Sequence, residues 1–470
     1  MKPPIASARD LSGLTVTVMG LGLHGGGLST ARFLAQAGAR VTVTDTKDET
    51  VLATSLAALE GLSIRYVLGR HDLEDFSRAD LVIKNPAVRS DSPYLLAAKA
   101  VETDISLFLR LSAAPIIAVT GSKGKSTVAT ALHHGFVEAG RRAFLGGNIT
   151  VSPLEFIKET DETTAVVLEL SSWQLADLRG LGVLKPRVAL LTSIMPDHMN
   201  RYASMDEYVA DKRLIYADQD AGCHTVLNAE DLWSHLFAAE TRGRVAWYGA
   251  QDAHADTEAA WLEGKRGRAR IGIPGDPDAE CGYILPEHLL VPGRHQRINL
   301  LGAALALRLF GLEAAAIERA MGSFNGVEHR LEPFADKDGI AWYNDSAATI
   351  PQAVAAALNS FEEPVILITG GTDKNLDFEP VHEAYARAKA IILLSGSGTE
   401  KLRNWLDRDG TRYVGPFNDL DSAVSEAARV ARHGDKVLLS PGCTSFGMFL
   451  HEFDRGKKFK ESVRRLLGEA

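Results

Sequence analysis

Short β-branched apolar runs alternate with longer Ala/Leu-rich stretches of helical period along nearly the whole chain. Such alternation is the signature of βαβ units, in which a helix carries each strand back parallel to the last. The runs at 15–19, 41–45 and 81–84 read as strands of a first sheet. Those at 115–120, 165–170 and 188–193 read as a second series, and those at 365–369, 390–395 and 436–440 as a third. Helices are expected over 128–139 and 298–310. The stretch 252–287 breaks the pattern: rich in Asp, Gly and Arg, it reads as hairpins or loops on the middle series. The fold class predicted is α/β in three domains. A Rossmann-like domain spans 1–104, a central P-loop ATPase-like domain with a parallel sheet 105–326, and a second Rossmann-like domain 327–470.

Composition narrows the function. At 470 residues, with 46% apolar and 24% charged positions, the chain can bury several cores. A net charge of −9 supplies no basic field for a nucleic-acid backbone, so no nucleic-acid partner is expected. Three cysteines, far apart and in no CxxC pair, argue against a disulfide framework or zinc cluster and fit a reducing cytoplasm. No signal peptide and no run of about 18 apolar residues is present, so membrane insertion is not expected.

Two glycine-rich turns carry candidate chemistry. Strand 15–19 leads into Gly20-Leu21-Gly22-Leu23-His24-Gly25, a G-x-G-x-x-G, and Asp45 ends the next strand. Glycines there let backbone N–H groups approach a diphosphate at a helix N-terminus, while Asp45 could accept from a ribose or base. An NAD site is one reading; a tight strand-to-helix turn, which needs the same glycines, is the other.

The second turn is Thr120-Gly121-Ser122-Lys123-Gly124-Lys125-Ser126-Thr127, between a strand and a helix. Its N–H groups can face β- and γ-phosphates, Lys125 supplies a cation, and Ser126 or Thr127 offers a hydroxyl to Mg²⁺. Val119 stands where the usual first glycine of such loops would be. ATP or GTP binding follows from this loop. Strand 165–170 delivers Glu169 followed by Ser171, and strand 188–193 runs into Asp197-His198. A carboxylate and an imidazole at such strand ends could hold Mg²⁺ or Mn²⁺. Lys212, in YVADKRLIY at 208–216, reads by itself as a solvated lysine.

Taken together these segments resemble the Mur ligases, collinearly over nearly the whole chain. TGSKGKST is similar to that family's ATP loop, GGNI at 146–149 to its substrate loop, and LELSSWQL at 168–175 to the strand bearing its metal-binding glutamate. PDHMNRY at 196–202 and YVADKRLIY complete the middle-domain pattern. GRHQRIN at 293–299, EHRLE at 328–332 and NDSAAT at 344–349 look like the adenine, ribose and hinge segments. TGGTDKNLDF at 369–378 and LSPGCTSFGMFLHEFDRG at 439–456 resemble the parts that receive the amino acid. No DNPR and no GTHGK is present, which sets aside the diaminopimelate-, lysine- and alanine-adding branches in favour of the glutamate-adding one.

The resemblance implies ATP-dependent ligation of glutamate to UDP-N-acetylmuramoyl-L-alanine through an acyl-phosphate, by a monomer using ATP and Mg²⁺ or Mn²⁺. It assigns Gly121 to Thr127 with Asn299, Arg330 and Asp345 to ATP, and Lys125, His198 and Lys212 to catalysis. Leu23, His24, Asp45, Thr46, Asn148 and Ser171 go to the UDP-substrate, and Thr349, Lys374, Ser445, Phe446 and Phe453 to the amino acid. Ser126, Glu169, His198 and a carbamylated Lys212 are the expected metal ligands. Four positions depart from the family pattern: Lys123 and Gln296 stand for asparagines, Asn200 for an aspartate, and Ala347 for a lysine beside the amino acid. The alternatives are an L-glutamate-adding or other amino-acid-adding ligase of the same type, an NAD-dependent oxidoreductase with an ancillary ATPase, resting on the first glycine turn, and a non-catalytic nucleotide-dependent scaffold.

Overall fold

The computed structural model describes residues 5–22, 26–149, 151–197, 199, 201–251, 256–272 and 280–469. Leu23, His24, Gly25, His198 and Asn200 therefore lie outside the described residues. The chain forms two compact units, Met1–Glu287 with Asn299–Met321, and His288–Ile298 with Gly322–Ala470.

The first unit holds two sheets. One comprises β1 (Thr15–Met19), β2 (Arg40–Asp45), β3 (Ile64–Leu68), β4 (Leu81–Lys84) and β5 (Val101–Glu102). They are parallel in the order β3-β2-β1-β4-β5. Chain direction across the sheet reverses between β1 and β4, which opens a crevice at the strand ends where α/β sheets take ligands.

The other contains β6 (Ile116–Thr120), β7 (Ala143–Gly147), β8 (Ala165–Glu169), β9 (Val188–Leu191), β10 (His224–Asn228) and β11 (Arg244–Tyr248). It continues through β12 (Glu258–Glu263), β13 (Arg266–Ile271) and β14 (Glu280–Leu285). The order is β14-β13-β12-β11-β10-β9-β6-β8-β7. Strands β6, β8 and β9 are buried along their whole length, as their unbroken apolar runs require of a sheet covered on both faces. The irregular stretch after residue 252 becomes antiparallel β12–β13–β14, the hairpins expected there. One apolar cluster runs from the first sheet into the second; Phe156 stacks on Phe144 at 4.7 Å and meets Phe108 edge-on at 5.9 Å.

The second unit carries β15 (Glu332–Lys337), β16 (Ile340–Asn344), β17 (Val365–Thr369), β18 (Ala390–Leu394), β19 (Val414–Phe417) and β20 (Lys436–Leu439). The order is β15-β16-β20-β17-β18-β19, parallel except at β15. Separate apolar clusters cover its two faces. The helix expected from residue 128 begins at Lys125, because Gly124 takes a left-handed φ of 88° and turns the chain into the helix at once. The helix expected from 298 begins at Arg294.

The first glycine turn is closed by backbone contact. A Cβ on Gly27 would lie 2.1 Å from the Gly20 carbonyl oxygen and 2.6 Å from that of Leu21, which no rotamer relieves. Gly27→Ala should therefore lower unfolding free energy by about 2–3 kcal/mol, read from the midpoint of a urea transition.

Candidate active site at the ends of the central strands

Strand β6 lies between β8 and β9, so the loops leaving all three converge. Val119 pairs with Glu169, and Thr120 with Leu191. The phosphate loop is stitched to the segment after β9. Thr192 donates its hydroxyl to the Lys123 carbonyl at 2.6 Å, and the Ser122 N–H donates to the Ser193 carbonyl at 2.7 Å. The Ser122 hydroxyl donates to the Met195 carbonyl at 2.8 Å, accepts from the Met195 N–H at 3.0 Å and lies 3.0 Å from the Tyr208 hydroxyl. Its side chain and its N–H thus both serve to shape the loop and hold it to the segment after β9.

The conformational demand falls on Gly121, at φ 143°, and Gly124; Val119 stays in the strand and is buried, which is why no glycine is needed there. A Cβ on Gly121 would sit 1.8 Å from the Thr192 hydroxyl, and one on Gly124 2.6 Å from the Asn299 amide oxygen. Asn299 therefore lies against the loop. Beyond Gly124 the helix Lys125–Glu138 starts without a side-chain cap. Its first N–H groups and its positive dipole end suit phosphate oxygens. Lys125 folds back onto the Gly121 and Ser122 carbonyls at 3.0 and 3.1 Å. Lys123 is exposed and 3.5 Å from Asp197; Ser126 and Thr127 are half-buried on the first helical turn.

Glu169 is 1% exposed. Asn148 donates its amide to Oε1 at 2.9 Å, while Oε2 is buried with no hydrogen-bond partner. A buried carboxylate oxygen left open in this way suits a cation, since a lone desolvated charge is costly. Ser171 caps the helix Ser172–Asp177 in a box with Gln174, which fixes the chain leaving Glu169.

Lys212, read from sequence alone as solvated, is 1% exposed. It ends the helix Met205–Lys212 and reaches the Gly121 carbonyl at 2.7 Å, with its ammonium 4.7 Å from the centre of the Tyr208 ring. Burial, reinforced by the like charge of Lys125, pulls its pKa down to about 7, against the opposing pull of Asp197, Asp211 and Glu169.

In the N-terminal sheet Asp45 is buried, and its carboxylate accepts from the backbone N–H groups of Leu21, Gly22 and Lys47 at 2.9, 3.1 and 2.9 Å. It therefore braces the glycine turn; Thr46 beside it is exposed.

The second unit gathers the remaining candidates. Asp345 is buried, accepting from the Ser440 hydroxyl at 2.7 Å and the Leu331 N–H at 3.2 Å; burial raises its pKa to about 7 despite these bonds and nearby Arg330 and Arg455. Arg330 is exposed between His329 and Leu331, both at positive φ. Lys374 is exposed with Nζ 3.4 Å from the Thr349 hydroxyl; Ser445 is buried, and Phe446 and Phe453 are exposed. Phe453 packs against His329 with ring centres 5.2 Å apart. Ala347 is half-buried and donates its N–H to the His329 carbonyl at 3.0 Å.

Motif reading did not single out Thr192, Tyr208, His329 or Arg455. Arg455 is 1% exposed and donates to the Ser346 and Cys443 carbonyls at 2.9 and 3.1 Å, tying together the segments of Asp345 and Ser445. Burial lowers its pKa to about 10. Nothing in the local sequence separates such an arginine from a surface one.

Family models match in chain order: a Mur ligase MurD-like N-terminal domain at 14–106, a Mur ligase middle domain at 119–307 and a Mur ligase glutamate ligase domain at 329–443. The chain is 42% identical to the UDP-N-acetylmuramoylalanine–D-glutamate ligase of Treponema pallidum, over 97% of this chain and 98% of that protein. The chain belongs to the Mur ligase family. The protein of the same name from a Roseiflexus species is 40% identical, over 97% of this chain and 99% of that one. The UDP-N-acetylmuramate–alanine ligase of Thermotoga maritima shares the fold, with a TM-score of 0.59 at 19% identity, over 97% and 100% of the two chains. The three-domain α/β class expected from the sequence is thereby borne out. No helix among the described residues is long and apolar enough to cross a membrane.

Lys212 supplies a test of the candidate site's geometry that needs no substrate. From about pH 7 up to 10.5, the unfolded chain holds a proton that the folded chain has released, so folding grows more favourable as pH rises. Between pH 6 and 9 the parent should gain roughly 2–3 kcal/mol over Lys212→Met, measured by denaturant unfolding of both proteins at each pH.

Proposed function

We propose that this Mur ligase joins D-glutamate to UDP-N-acetylmuramoyl-L-alanine with hydrolysis of ATP to ADP and phosphate, in the cytoplasmic assembly of peptidoglycan precursors. The observation that carries the reading is the meeting of the phosphate loop, the half-satisfied Glu169 and the buried Lys212 at the ends of three adjacent strands, in a chain 42% identical to a ligase of that name. The substrate carboxylate attacks the γ-phosphorus and ADP leaves; the amine of glutamate then attacks the acyl carbon and phosphate leaves. No protein nucleophile is needed, so the chain's task is positioning and charge neutralisation.

Gly121 to Thr127 form the phosphate cradle, with the uncapped N–H groups at the start of the helix as its donors, and Lys125 exchanges its two loop carbonyls for phosphate oxygens. Asn299, Arg330 and Asp345 are assigned to the rest of the nucleotide. Glu169, Ser126 and His198 would hold Mg²⁺ or Mn²⁺, for which the open Glu169 oxygen is suited; the ion would supply charge neutralisation of the phosphoryl group. With its pKa near 7, Lys212 is partly a neutral amine at physiological pH and can add CO₂. The carbamate so formed would turn a cation that repels a metal into an anion that holds one. Leu23, His24, Asp45, Thr46, Asn148 and Ser171 are assigned to the UDP-substrate, with Asp45 and Asn148 acting mainly by bracing the glycine turn and Glu169. Lys374, Thr349, Ser445, Phe446 and Phe453 receive glutamate. The domain limits proposed are 1–104, 105–326 and 327–470, in a monomer.

Phosphate release that requires both UDP-N-acetylmuramoyl-L-alanine and D-glutamate tests the reaction; release with another amino acid only would overturn the choice of substrate. Lys125→Ala should lower kcat by at least about 100-fold with the melting temperature nearly unchanged, since a half-buried loop cation is lost rather than a core group. A carbon-13 carbamate resonance from labelled bicarbonate should be present in the parent, grow as pH rises through about 7, and vanish in Lys212→Arg.

A further inference from the structure

Lys84 is the last residue of β4, beside the point where the first sheet reverses. Its side chain lines the crevice there with Gly20, Gly27, Thr30, Asn85 and Asp104. From that crevice Nζ reaches across to the phosphate-loop layer, 2.8 Å from Asp177 Oδ2, and is steadied on its own side by the Val88 carbonyl at 2.9 Å. Both partners are shielded, with side chains 5% and 13% exposed. Asp177 closes the helix Ser172–Asp177, whose cap Ser171 lies two residues beyond Glu169. Asp177 also feels Arg201 and Asp211, and Asp211, next to Lys212, is held by Arg179 at 2.6 Å and Tyr202 at 2.8 Å. Asp177 therefore stands on the helix that follows Glu169 and near Asp211, the neighbour of Lys212 in sequence.

Two other ion-pair or amide links between these layers are different in kind. Arg32–Glu155 at 3.2 Å and Lys158–Gln36 at 2.7 Å are solvent-exposed, where water screens the attraction and long side chains wander. A shielded pair has no such freedom, because either partner alone would be a charge stranded in a poor dielectric. Sequence gives no sign of the pairing, since the two residues are far apart in the chain and belong to no motif.

We propose that Lys84 and Asp177 are a positioning pair that fixes the N-terminal crevice against the phosphate-loop layer, so that the sugar nucleotide bound in one presents its carboxylate to the phosphoryl group held in the other. The proposal rests on the ligase reading above. A shielded ion pair at 2.8 Å resists sliding because parting its charges strands both, whereas apolar contact slides, and transfer loses about 100-fold for a misplacement near 1 Å.

The decisive protein is the double variant Lys84→Met with Asp177→Leu, which removes the link without stranding a charge and so should fold. With its melting temperature close to the parent's, its kcat should fall at least about tenfold while KM for ATP stays within about twofold. Lys84→Arg, which keeps a cation of sufficient reach, should retain kcat within about threefold. Amide hydrogen exchange at 84–88 and 172–177 should quicken at least about fivefold in the double variant and in the isosteric Asp177→Asn. Recovery of parental kcat by the double variant, or unchanged exchange in both proteins, overturns the proposal. If the parent itself releases no phosphate with its substrates, the ligase reading falls, and the exchange comparison still decides whether the pair holds the two layers in register.

Discussion

The parallel register that sets β6 between β8 and β9 is the constraint on which the site depends. It brings the ends of three strands together, and Thr192 and Ser122 then bind the phosphate loop to the segment after β9 at 2.6–2.8 Å. A loop with two glycines at positive φ would otherwise sample many shapes; held to the neighbouring segment, it keeps one. The same register sets Glu169 beside Val119, so the carboxylate and the phosphate loop share one strand end.

Buried charge is the second theme, and it costs stability that packing elsewhere must offset. Lys212, Glu169, Asp345 and Arg455 are each withdrawn from water, and Glu169 Oε2 and Arg455 Nε are left without a hydrogen-bond partner. Their pKa shifts record that strain where it is resolved: Lys212 and Arg455 are pulled down, Asp345 pushed up. Such displaced groups collect at functional sites because a bound anion, cation or carbamate relieves what the folded chain leaves unsatisfied. Asp45 is the contrast: buried as deeply, it is met by three backbone N–H groups and serves the turn.

Gly121 and Gly27 mark how closely the two glycine turns are built. At the first a side chain would strike Thr192, and at the second the backbone of Gly20 and Leu21. In each case the glycine is required by approach as well as by any ligand. A G-x-G-x-x-G read from sequence therefore left both a nucleotide site and a tight turn open, and Gly27 lies beyond that motif altogether.

Local information determined a good deal about this protein. Alternating apolar runs located the main strands to within a residue or two, because strands buried on both faces must be continuously apolar, and TGSKGKST located the phosphate loop because few other chains need those residues between a strand and a helix. Glu169 was legible from its place at a strand end. Tertiary structure alone decided the rest. Lys212 is solvated by any local criterion, and only the fold of its helix against the Gly121 carbonyl buries it and moves its pKa. Asp45 and Asn148 looked free to meet a ligand until the fold supplied their backbone and carboxylate partners. The pairing of Lys84 with Asp177 joins residues from two layers, and Arg455 joins two distant loops. Which charges meet depends on contacts between segments remote in the chain, and the energy of a buried charge is set by those contacts rather than by its neighbours in sequence.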